Sequence, residues 1–216
     1  MARHWRLSLG LFCLLVVALL AAQVLLHGPM LEIDRGISFW WAAHRRPWLT
    51  EAMLAVSTAH GQLPLLAATL VLMLWRGRKR DGPAVRGLLA VPAAMLLNVA
   101  LKDSFRRARP VLDDPLVQLA TYSFPSGHAV ASTAFYGIVC VLAFRRTRSR
   151  RSRALVATVA VVMVPLVAFS RVYLGAHFLS DVIAGIAVGT LCVLLFSRWL
   201  PPAPVEDARV LTKASP

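Results

Sequence analysis

Charged residues, and acidic ones above all, are scarce in this chain. Only 16% of its 216 residues are charged, with 10 Asp and Glu against 24 Lys and Arg, while 58% are hydrophobic. The mean hydropathy is +0.65. A soluble globular protein needs a polar surface that this composition does not supply. The composition therefore excludes a soluble globule and indicates that the bilayer is the solvent.

Cysteine is also rare, and its pattern excludes two classes of site. Cys13, Cys140 and Cys192 are far apart, and each lies in an apolar run. An odd number without CxxC spacing is typical neither of a disulfide framework nor of a thiolate metal site. We expect three buried, unreactive thiols.

The formal net charge of +14 raises the question of a nucleic-acid partner. The basic residues fall in short clusters between long apolar runs, and no soluble segment is large enough to present a basic binding face. We therefore predict no nucleic-acid partner and relate the charge to membrane topology.

Long uncharged runs dominate the sequence. The run at 7–26 follows Arg3 and Arg6 and is long enough, at about 1.5 Å per residue, to cross about 30 Å of hydrocarbon. It exceeds the apolar core of a signal peptide and has no small-x-small cleavage site, so we predict an uncleaved anchor. Together with five further apolar runs it predicts an all-α bundle of six transmembrane helices, at 7–26, 53–75, 84–101, 129–144, 154–170 and 182–200.

The loops between these spans predict the orientation, because cytoplasmic loops collect Lys and Arg. With the N-terminus inside, sixteen of the 24 basic residues lie on the cytoplasmic side and eight on the outer side. Both termini are therefore predicted to be cytoplasmic. Residues 1–200 form the predicted membrane domain, and the proline-rich and polar residues 201–216 are predicted to be a disordered cytoplasmic tail.

The outer end of the third span carries a basic cluster. Lys102 supplies a point charge and Arg109 a planar fork, two complementary ways of holding phosphate oxygens. A basic loop that anchors the protein to lipid headgroups has the same composition. The cluster alone leaves both readings open.

A second outer cluster, Phe124-Pro125-Ser126-Gly127-His128, leads into the fourth span. Ser126 suits a helix N-cap, and Gly127 lets a ligand approach the backbone closely. The free N–H groups at a helix start bind anions, and His128 is placed to face such an anion. A capped helix with an interfacial histidine is the alternative.

The third cluster lies between the fifth and sixth spans, where His177 and Asp181 follow Arg171. If the sixth helix begins here, the four-residue spacing puts His177 and Asp181 on one face, within hydrogen-bonding reach. Asp181 then fixes the imidazole tautomer and frees the other ring nitrogen as a nucleophile or base. A structural pair, or half of a metal site, has the same spacing.

Together the three clusters resemble the signature blocks of the type 2 phosphatidic acid phosphatase superfamily. The matching blocks are Lys102-x6-Arg109-Pro110, Pro125-Ser126-Gly127-His128 and Ser170-Arg171-x5-His177-x3-Asp181. Each block is modestly specific, whereas their joint occurrence at three outer helix ends is very specific. The resemblance extends from 7 to 200 and implies an active site at the outer membrane–water boundary.

The resemblance implies a role for each matching residue. His177 attacks phosphorus to give a phosphohistidine, Asp181 orients it, and His128 protonates the leaving lipid oxygen and then helps to activate water. The remaining residues hold the nonbridging oxygens: Lys102, Arg109, Ser126, Gly127 and Arg171. No cofactor is implied, and the few nearby carboxylates lack the spacing of a Mg²⁺ site.

The implied function is hydrolysis of a lipid phosphate in the inner (plasma) membrane of a bacterium, with the site facing the periplasm or exterior. Candidate substrates are phosphatidylglycerophosphate, phosphatidic acid and undecaprenyl diphosphate. The alternatives are a phosphotransferase, a phosphatase of soluble phosphoesters, and a non-catalytic lipid-binding or transport protein. A vanadate-dependent haloperoxidase uses a similar pocket but is soluble, which six apolar spans contradict. No pattern predicts the oligomeric state.

The sequence predicts structural roles for two further features. Glu32 and Asp34 are predicted to lie on a solvated face of the first outer segment. Gly185 and Gly189 form a GxxxG in the sixth span, which predicts close helix packing.

Overall fold

The computed structural model describes residues 4–117 and 119–200, and all the regular structure in these ranges is helical. The predicted all-α fold class is confirmed, while the predicted tail at 201–216 lies outside the described residues. The helices are α1 (His4–Leu25), α2 (Met30–Ala43), α3 (Pro47–Ala59), α4 (Gln62–Arg78), α5 (Gly82–Leu88), α6 (Ala90–Phe105), α7 (Gly127–Arg146), α8 (Arg150–Tyr173) and α9 (Leu179–Phe196), followed by a 3-10 turn at Ser197–Trp199.

Within residues 4–117 and 119–200, five helical segments are long and apolar enough to cross a membrane, and α3 with α4 makes a sixth if the bent pair counts as one span. The five are His4–Leu25, Gly82–Phe105, Gly127–Arg146, Arg150–Tyr173 and Leu179–Trp199. Their outward surfaces are strongly apolar: on α1, Leu11, Phe12 and Leu15 are all more than half exposed. Such a surface is stable in lipid, which is as apolar as leucine.

The second span differs from its prediction. Its two helices meet at an angle of 44° at His60 and Gly61, which lie inside the predicted span at 53–75. His60 stabilises the break because its Nδ1 lies 2.9 Å from the Val56 carbonyl and its Nε2 lies 2.7 Å from the Tyr136 hydroxyl. A polar break at membrane depth is tolerated where the protein itself satisfies the backbone.

The packing of α9 against α7 depends on glycine. A Cβ at Gly185 would lie 2.8 Å from the Ser126 carbonyl oxygen and 2.8 Å from the Ala129 Cβ, and one at Gly189 would lie 2.7 Å from the Thr133 Cβ. The prediction of close packing at the GxxxG is therefore confirmed. This packing places the start of α9 beside the start of α7, where the second and third sequence clusters lie.

The irregular segment after α6 is joined to these helix starts by backbone hydrogen bonds. The Ser123 N–H donates to the Arg107 carbonyl at 2.8 Å, and the Ser126 N–H donates to the Asp181 carbonyl at 2.9 Å. The ends of α6 and α8 and the starts of α7 and α9 thus converge on one end of the bundle.

Candidate active site

Lys102 occupies the last turn of α6 and is buried although it carries a charge. Its Nζ donates to the Tyr122 carbonyl and lies 3.4 Å from the Ser123 carbonyl. Because these carbonyls belong to the segment that leads into α7, the ammonium lies close to the second cluster. The structure therefore brings the first and second clusters together, as predicted.

Arg109 approaches the third cluster. Its Nη1 donates to the Ala176 carbonyl at 2.6 Å and lies 3.2 Å from the Nε2 of His177. Its Nε and Nη2 contact Thr121, at 2.6 Å to the carbonyl and 2.9 Å to the hydroxyl. Burial lowers the pKa of Arg109, but an arginine remains protonated in proteins.

Arg171, in the last turn of α8, is 2% exposed and has unpaired donors. Its Nη1 donates to the Ser57 hydroxyl on α3. Its Nε and Nη2 are buried and have no partner among the described residues. Buried guanidinium donors without acceptors are costly. The arrangement is suited to an anion.

Ser126 is the N-cap residue of α7, as predicted, but its side chain does not cap the helix. The Ser126 hydroxyl is buried and has no partner among residues 4–117 and 119–200. A Cβ at the next residue, Gly127, would lie 2.6 Å from the Gln62 Nε2 and 3.0 Å from the Asn98 Oδ1. Side chains of the protein therefore occupy the space of a Cβ at Gly127, whereas the free Ser126 hydroxyl at a helix start is suited to an anion.

His128 is the second residue of α7 and faces the same region. It hydrogen bonds with the backbone of Ser57, the residue that also receives the Arg171 donor, and interacts electrostatically with Arg171 and His177. The two histidines of the second and third clusters therefore belong to one site.

His177 lies just before α9, after a tight turn at Gly175, whose φ of +71° favours glycine. The Arg171 carbonyl accepts the N–H groups of Ala176 and His177, at 3.0 and 3.2 Å. The turn thus fixes the histidine beside Arg171.

The two ring nitrogens of His177 have different neighbours: one lies near the Asp181 carboxylate and the other near the Arg109 guanidinium. Its Nδ1 lies 3.5 Å from the Asp181 Oδ2, and its Nε2 lies 3.2 Å from Nη1 of Arg109. A guanidinium only donates, so the Nε2 must be the unprotonated nitrogen and the proton must lie on Nδ1. The sequence predicted that Asp181 fixes the tautomer through one ring nitrogen, and the structure identifies that nitrogen as Nδ1.

Burial lowers the pKa of His177 to about 3, against the opposing effect of its hydrogen bond and attraction to Asp181. Arg109 and Lys102 lower it further. The imidazole is therefore neutral at physiological pH, and its Nε2 lone pair accepts from Nη1 of Arg109 in this structure.

Ser123 is a site residue that the sequence does not reveal. Its hydroxyl donates to the Asp181 Oδ2 at 2.5 Å and lies 3.4 Å from the Nδ1 of His177. It precedes the second cluster by two residues, and nothing in its spacing distinguishes it from a loop serine. Its contacts depend on the packing of the 106–126 segment.

The position of Asp34 differs from its prediction. The residue was predicted to lie on a solvated face, but it is fully buried and accepts a hydrogen bond from Arg107 at 2.8 Å. The physical reason is that α2 packs this residue against the start of α9, where the Ser180 N–H donates to the Asp34 Oδ1 at 3.0 Å. Arg107, one of the outer arginines, is also buried.

A cavity of about 490 Å³ lies between the end of α1, α2 and the segment that follows α6. Its wall is mainly apolar and includes Val24, Leu25 and Phe39, together with Arg109 and Phe178 of the site region. In the described ranges no group of three or more His, Cys, Asp or Glu is arranged to hold a metal ion.

A comparison with known families decides what this site belongs to. The model of the PAP2 superfamily matches residues 83–204. The chain belongs to the PAP2 superfamily. This membership confirms the family that the three motifs predict, and with it a multi-pass membrane protein that hydrolyses phosphoric esters.

Individual PAP2 relatives agree over most of the chain. Phosphatidylglycerophosphatase B of Bacillus subtilis is 31% identical over 192 residues, which cover 87% of this chain and 91% of the relative. The crystal structure of a transmembrane PAP2-type phosphatidylglycerolphosphate phosphatase from Bacillus subtilis matches with a TM-score of 0.74, at 31% identity, over 88% of this chain and 93% of that one. Aquifex aeolicus LpxE shares the fold, with a TM-score of 0.57 at 23% identity, over 78% of this chain and 94% of that one.

Proposed function

We propose that this PAP2 member is a lipid phosphatase that works through a phosphohistidine on His177, with phosphatidylglycerophosphate as the first substrate to test. The observation that carries the proposal is the meeting of a neutral histidine nitrogen with three buried or half-buried cations, Lys102, Arg109 and Arg171, at one membrane end of the bundle. Phosphoryl transfer needs such positioning and neutralised oxygens more than elaborate covalent chemistry.

In the first step the Nε2 lone pair of His177 attacks phosphorus while the bond from phosphorus to the lipid oxygen breaks. His128 gives its proton to that departing oxygen, so that the lipid leaves as an alcohol, or as a monophosphate if the substrate is a diphosphate. The Nδ1–H of His177 stays on the ring. It faces the Asp181 carboxylate, and the Ser123 hydroxyl lies beside it. The product is a phosphohistidine.

In the second step water attacks the phosphohistidine. His128, now deprotonated, takes a proton from the water, the bond between nitrogen and phosphorus breaks, and phosphate leaves. His177 returns to its neutral form and His128 to its protonated form. General acid–base catalysis by one histidine in both directions requires it to lie close to the phosphorus, as its contacts with the Ser57 backbone and with Arg171 favour.

The phosphate oxygens are assigned to the unpaired donors of the site. Two donors come from the Nε and Nη2 of Arg171 and one from the Ser126 hydroxyl. Lys102 and Arg109 add positive charge, and the N–H groups at the start of α7 add a helix dipole. Donors that are already in place when charge develops lower the barrier without reorganisation.

Two observations support a lipid as the substrate. The cavity beside Arg109 has a mainly apolar wall that includes the end of α1, where a lipid chain can lie. The Bacillus subtilis relatives are named for phosphatidylglycerophosphate and its phosphatase. We further propose that the protein lies in the inner (plasma) membrane of a bacterium, with its site on the outer face and both termini in the cytoplasm.

Phosphate release from mixed micelles tests the proposal. The panel is phosphatidylglycerophosphate, phosphatidic acid, lysophosphatidic acid and undecaprenyl diphosphate, with glycerol phosphate as a soluble substrate and EDTA present. We expect EDTA-insensitive release from phosphatidylglycerophosphate. Release only from glycerol phosphate, or from no substrate by folded protein, contradicts a lipid phosphatase.

The nucleophile is tested in the same assay. His177→Ala should lower kcat at least about 10³-fold, because removal of a catalytic nucleophile removes the covalent route. The matched control is His4→Ala, since His4 is an exposed histidine at the start of α1 and does not line the cavity. Acid-labile ³²P on the wild-type protein but not on His177→Ala identifies the intermediate.

A further inference from the structure

Arg107 lies between two buried carboxylates. Its Nη1 donates to the Asp181 Oδ1 at 2.6 Å, and its Nη2 donates to the Asp34 Oδ2 at 2.8 Å. The side chain of Arg107 is 7% exposed, and those of Asp34 and Asp181 are 0% exposed. A buried guanidinium that donates to one carboxylate from each terminal nitrogen fixes the orientation of both carboxylates and stabilises their negative charge.

Asp34 also holds the start of α9. Its Oδ1 accepts the Ser180 N–H at 3.0 Å, its Oδ2 accepts the Ser180 hydroxyl, and that hydroxyl in turn accepts from Nη1 of Arg107 at 2.7 Å. A carboxylate from α2 therefore accepts hydrogen bonds from the first turn of α9, the turn that carries Asp181. The four side chains of Asp34, Arg107, Ser180 and Asp181 form a closed network.

The network divides the two oxygens of Asp181 between different tasks. Oδ2 faces the Nδ1 of His177 and accepts from the Ser123 hydroxyl and the Phe178 N–H, the latter at 2.9 Å. Oδ1 is left to Arg107. Without Arg107, Asp34 and Asp181 are two buried acids that have lost the cation they share, a costly arrangement that favours rotation or neutralisation of Asp181.

A second contact ties Arg107 to the histidine turn. Its guanidinium carbon lies 4.2 Å above the ring of Phe178, the residue that follows His177. Both terminal nitrogens of Arg107 are engaged by carboxylates, whereas Arg171 has two unpaired nitrogens. Arg107 is therefore unlike the arginines that we assign to phosphate.

We propose that Arg107, backed by Asp34, is a positioning residue that keeps Asp181 ionised and aimed at the Nδ1 of His177. The proposal rests on the proposed function, because it takes His177 as the nucleophile. Arg107 acts through Asp181, since carboxylates engage both of its terminal nitrogens. Its removal should slow the chemical step and leave phosphate binding in place.

The test compares Arg107→Gln and Arg107→Lys with wild type, using kcat, KM and the inhibition constant of inorganic phosphate. Arg107→Gln should lower kcat about 10- to 100-fold, as expected for loss of a charged hydrogen bond, while KM and the phosphate constant stay within about threefold. Arg107→Lys keeps the charge and should recover part of kcat. The matched control is Arg46→Gln, since the exposed Arg46 does not line the cavity and should give wild-type values.

Asp34→Asn provides a second variant and a check on the network. It should also lower kcat, and the Arg107→Gln/Asp34→Asn pair should lose less than the product of the single losses, because the two residues act as one unit. An unchanged kcat in folded Arg107→Gln overturns the proposal. A phosphate constant that rises in parallel with the loss of kcat makes Arg107 a binding residue instead, which also overturns it.

A measurement independent of turnover separates this proposal from the proposed function. The Nδ1–H proton of His177, assigned by its loss in His177→Ala, should resonate at low field in the NMR spectrum of wild type and Arg46→Gln, and move upfield in Arg107→Gln. The same position in Arg107→Gln and wild type contradicts the positioning role even if no phosphate is released. Release that persists in His177→Ala contradicts the proposed function while this resonance still tests Arg107.

Discussion

The buried imidazole of His177 links the site to the stability of the whole protein. Its pKa is about 3 in the folded protein, whereas a histidine in an unfolded chain has a pKa of about 6.5. Since the folded pKa is the lower one, the unfolded chain binds the proton first. The stability contributed by neutral His177 is therefore fully present above about pH 6.5 and is lost as the pH falls toward 3.

We predict that the melting temperature of wild type in detergent falls more steeply between pH 6.5 and 4 than that of His177→Asn. The loss assigned to this residue is at most about 1.4 kcal/mol per pH unit. His27→Asn, at an exposed position, should keep the wild-type slope. Equal slopes in wild type and His177→Asn contradict a neutral, buried His177.

The unpaired nitrogens of Arg171 lead to a prediction about binding. Arg171→Lys keeps the charge but removes the fork, and we expect it to raise the phosphate inhibition constant about 10-fold or more, since one or two charged hydrogen bonds are lost. Arg46→Lys, at an exposed arginine near the same end of the bundle, is the control. An unchanged constant shows that the Nε and Nη2 of Arg171 do not bind the anion.

How much of the site the sequence predicts depends on the kind of contact. His177, Asp181 and Arg171 are close in sequence, and one turn and one helix start bring them together, so local spacing suffices to predict their contacts. Ser123 and Asp34 contact Asp181 or its cation across long stretches of chain. No local period connects them, and only the packing of the 106–126 segment and of α2 against α9 reveals their roles.

At the scale of elements, the sequence predicts that the spans exist and are helical, but it predicts less well where each helix begins, breaks and ends. Apolar length identifies the helices that begin at His4, Gly127, Arg150 and Leu179. It does not detect the 44° break at Gly61, because the apolar run continues on both sides of it. At the break, His60 hydrogen bonds with Tyr136 of α7, a long-range contact that hydropathy does not encode.

The contact of α7 with α9 is the element-scale feature that most directly supports the site. A Cβ at Gly185 meets a backbone oxygen of Ser126 at 2.8 Å, and a backbone atom cannot move aside as a flexible side chain can. We predict that Gly185→Ala destabilises the protein by about 1–3 kcal/mol, as overpacking does, and lowers activity because it displaces Ser126.

Gly77→Ala is the matched control for this prediction. Gly77 is an exposed glycine in α4 with nothing within 4 Å of a built Cβ, so the same change should be neutral or stabilising by about 0.5–1 kcal/mol. The check is the melting temperature and kcat of both variants in one detergent. A wild-type melting temperature for Gly185→Ala contradicts the close contact.

At the scale of the whole molecule, the charged clusters lie at the two ends of the bundle, on either side of its apolar, lipid-facing surface. One end of the bundle carries Arg76, Asp81 and Arg146, in which the acid pairs with both arginines, and the sequence predicts that this end is cytoplasmic. The opposite end holds the cations of the site, Lys102, Arg109 and Arg171. With the proposed function and orientation, the net charge of +14 has two separate origins, a cytoplasmic cluster of Lys and Arg that orients the protein and a cationic pocket for phosphate.

This division predicts which surface is reached from outside the cell. Asp114 has a side chain that is 90% exposed on the site end, and Arg148 is exposed in the turn between α7 and α8 at the other end. In a protein without Cys13, Cys140 and Cys192, Asp114→Cys should react with a membrane-impermeant maleimide in intact cells. Arg148→Cys should react only after the membrane is opened.

The reverse labelling pattern would place phosphate release in the cytoplasm and contradict the predicted orientation. Labelling of both positions in intact cells points to leakage, which a cytoplasmic marker protein detects, and the experiment is then repeated in sealed vesicles of known orientation. If the cytoplasmic cluster of Lys and Arg sets the orientation, removing its charge should turn part of the population over. Replacing Arg150, Arg151 and Arg153 by Gln in the Arg148→Cys protein should therefore make a fraction of the new thiol react from outside, while the fold of the bundle stays the same.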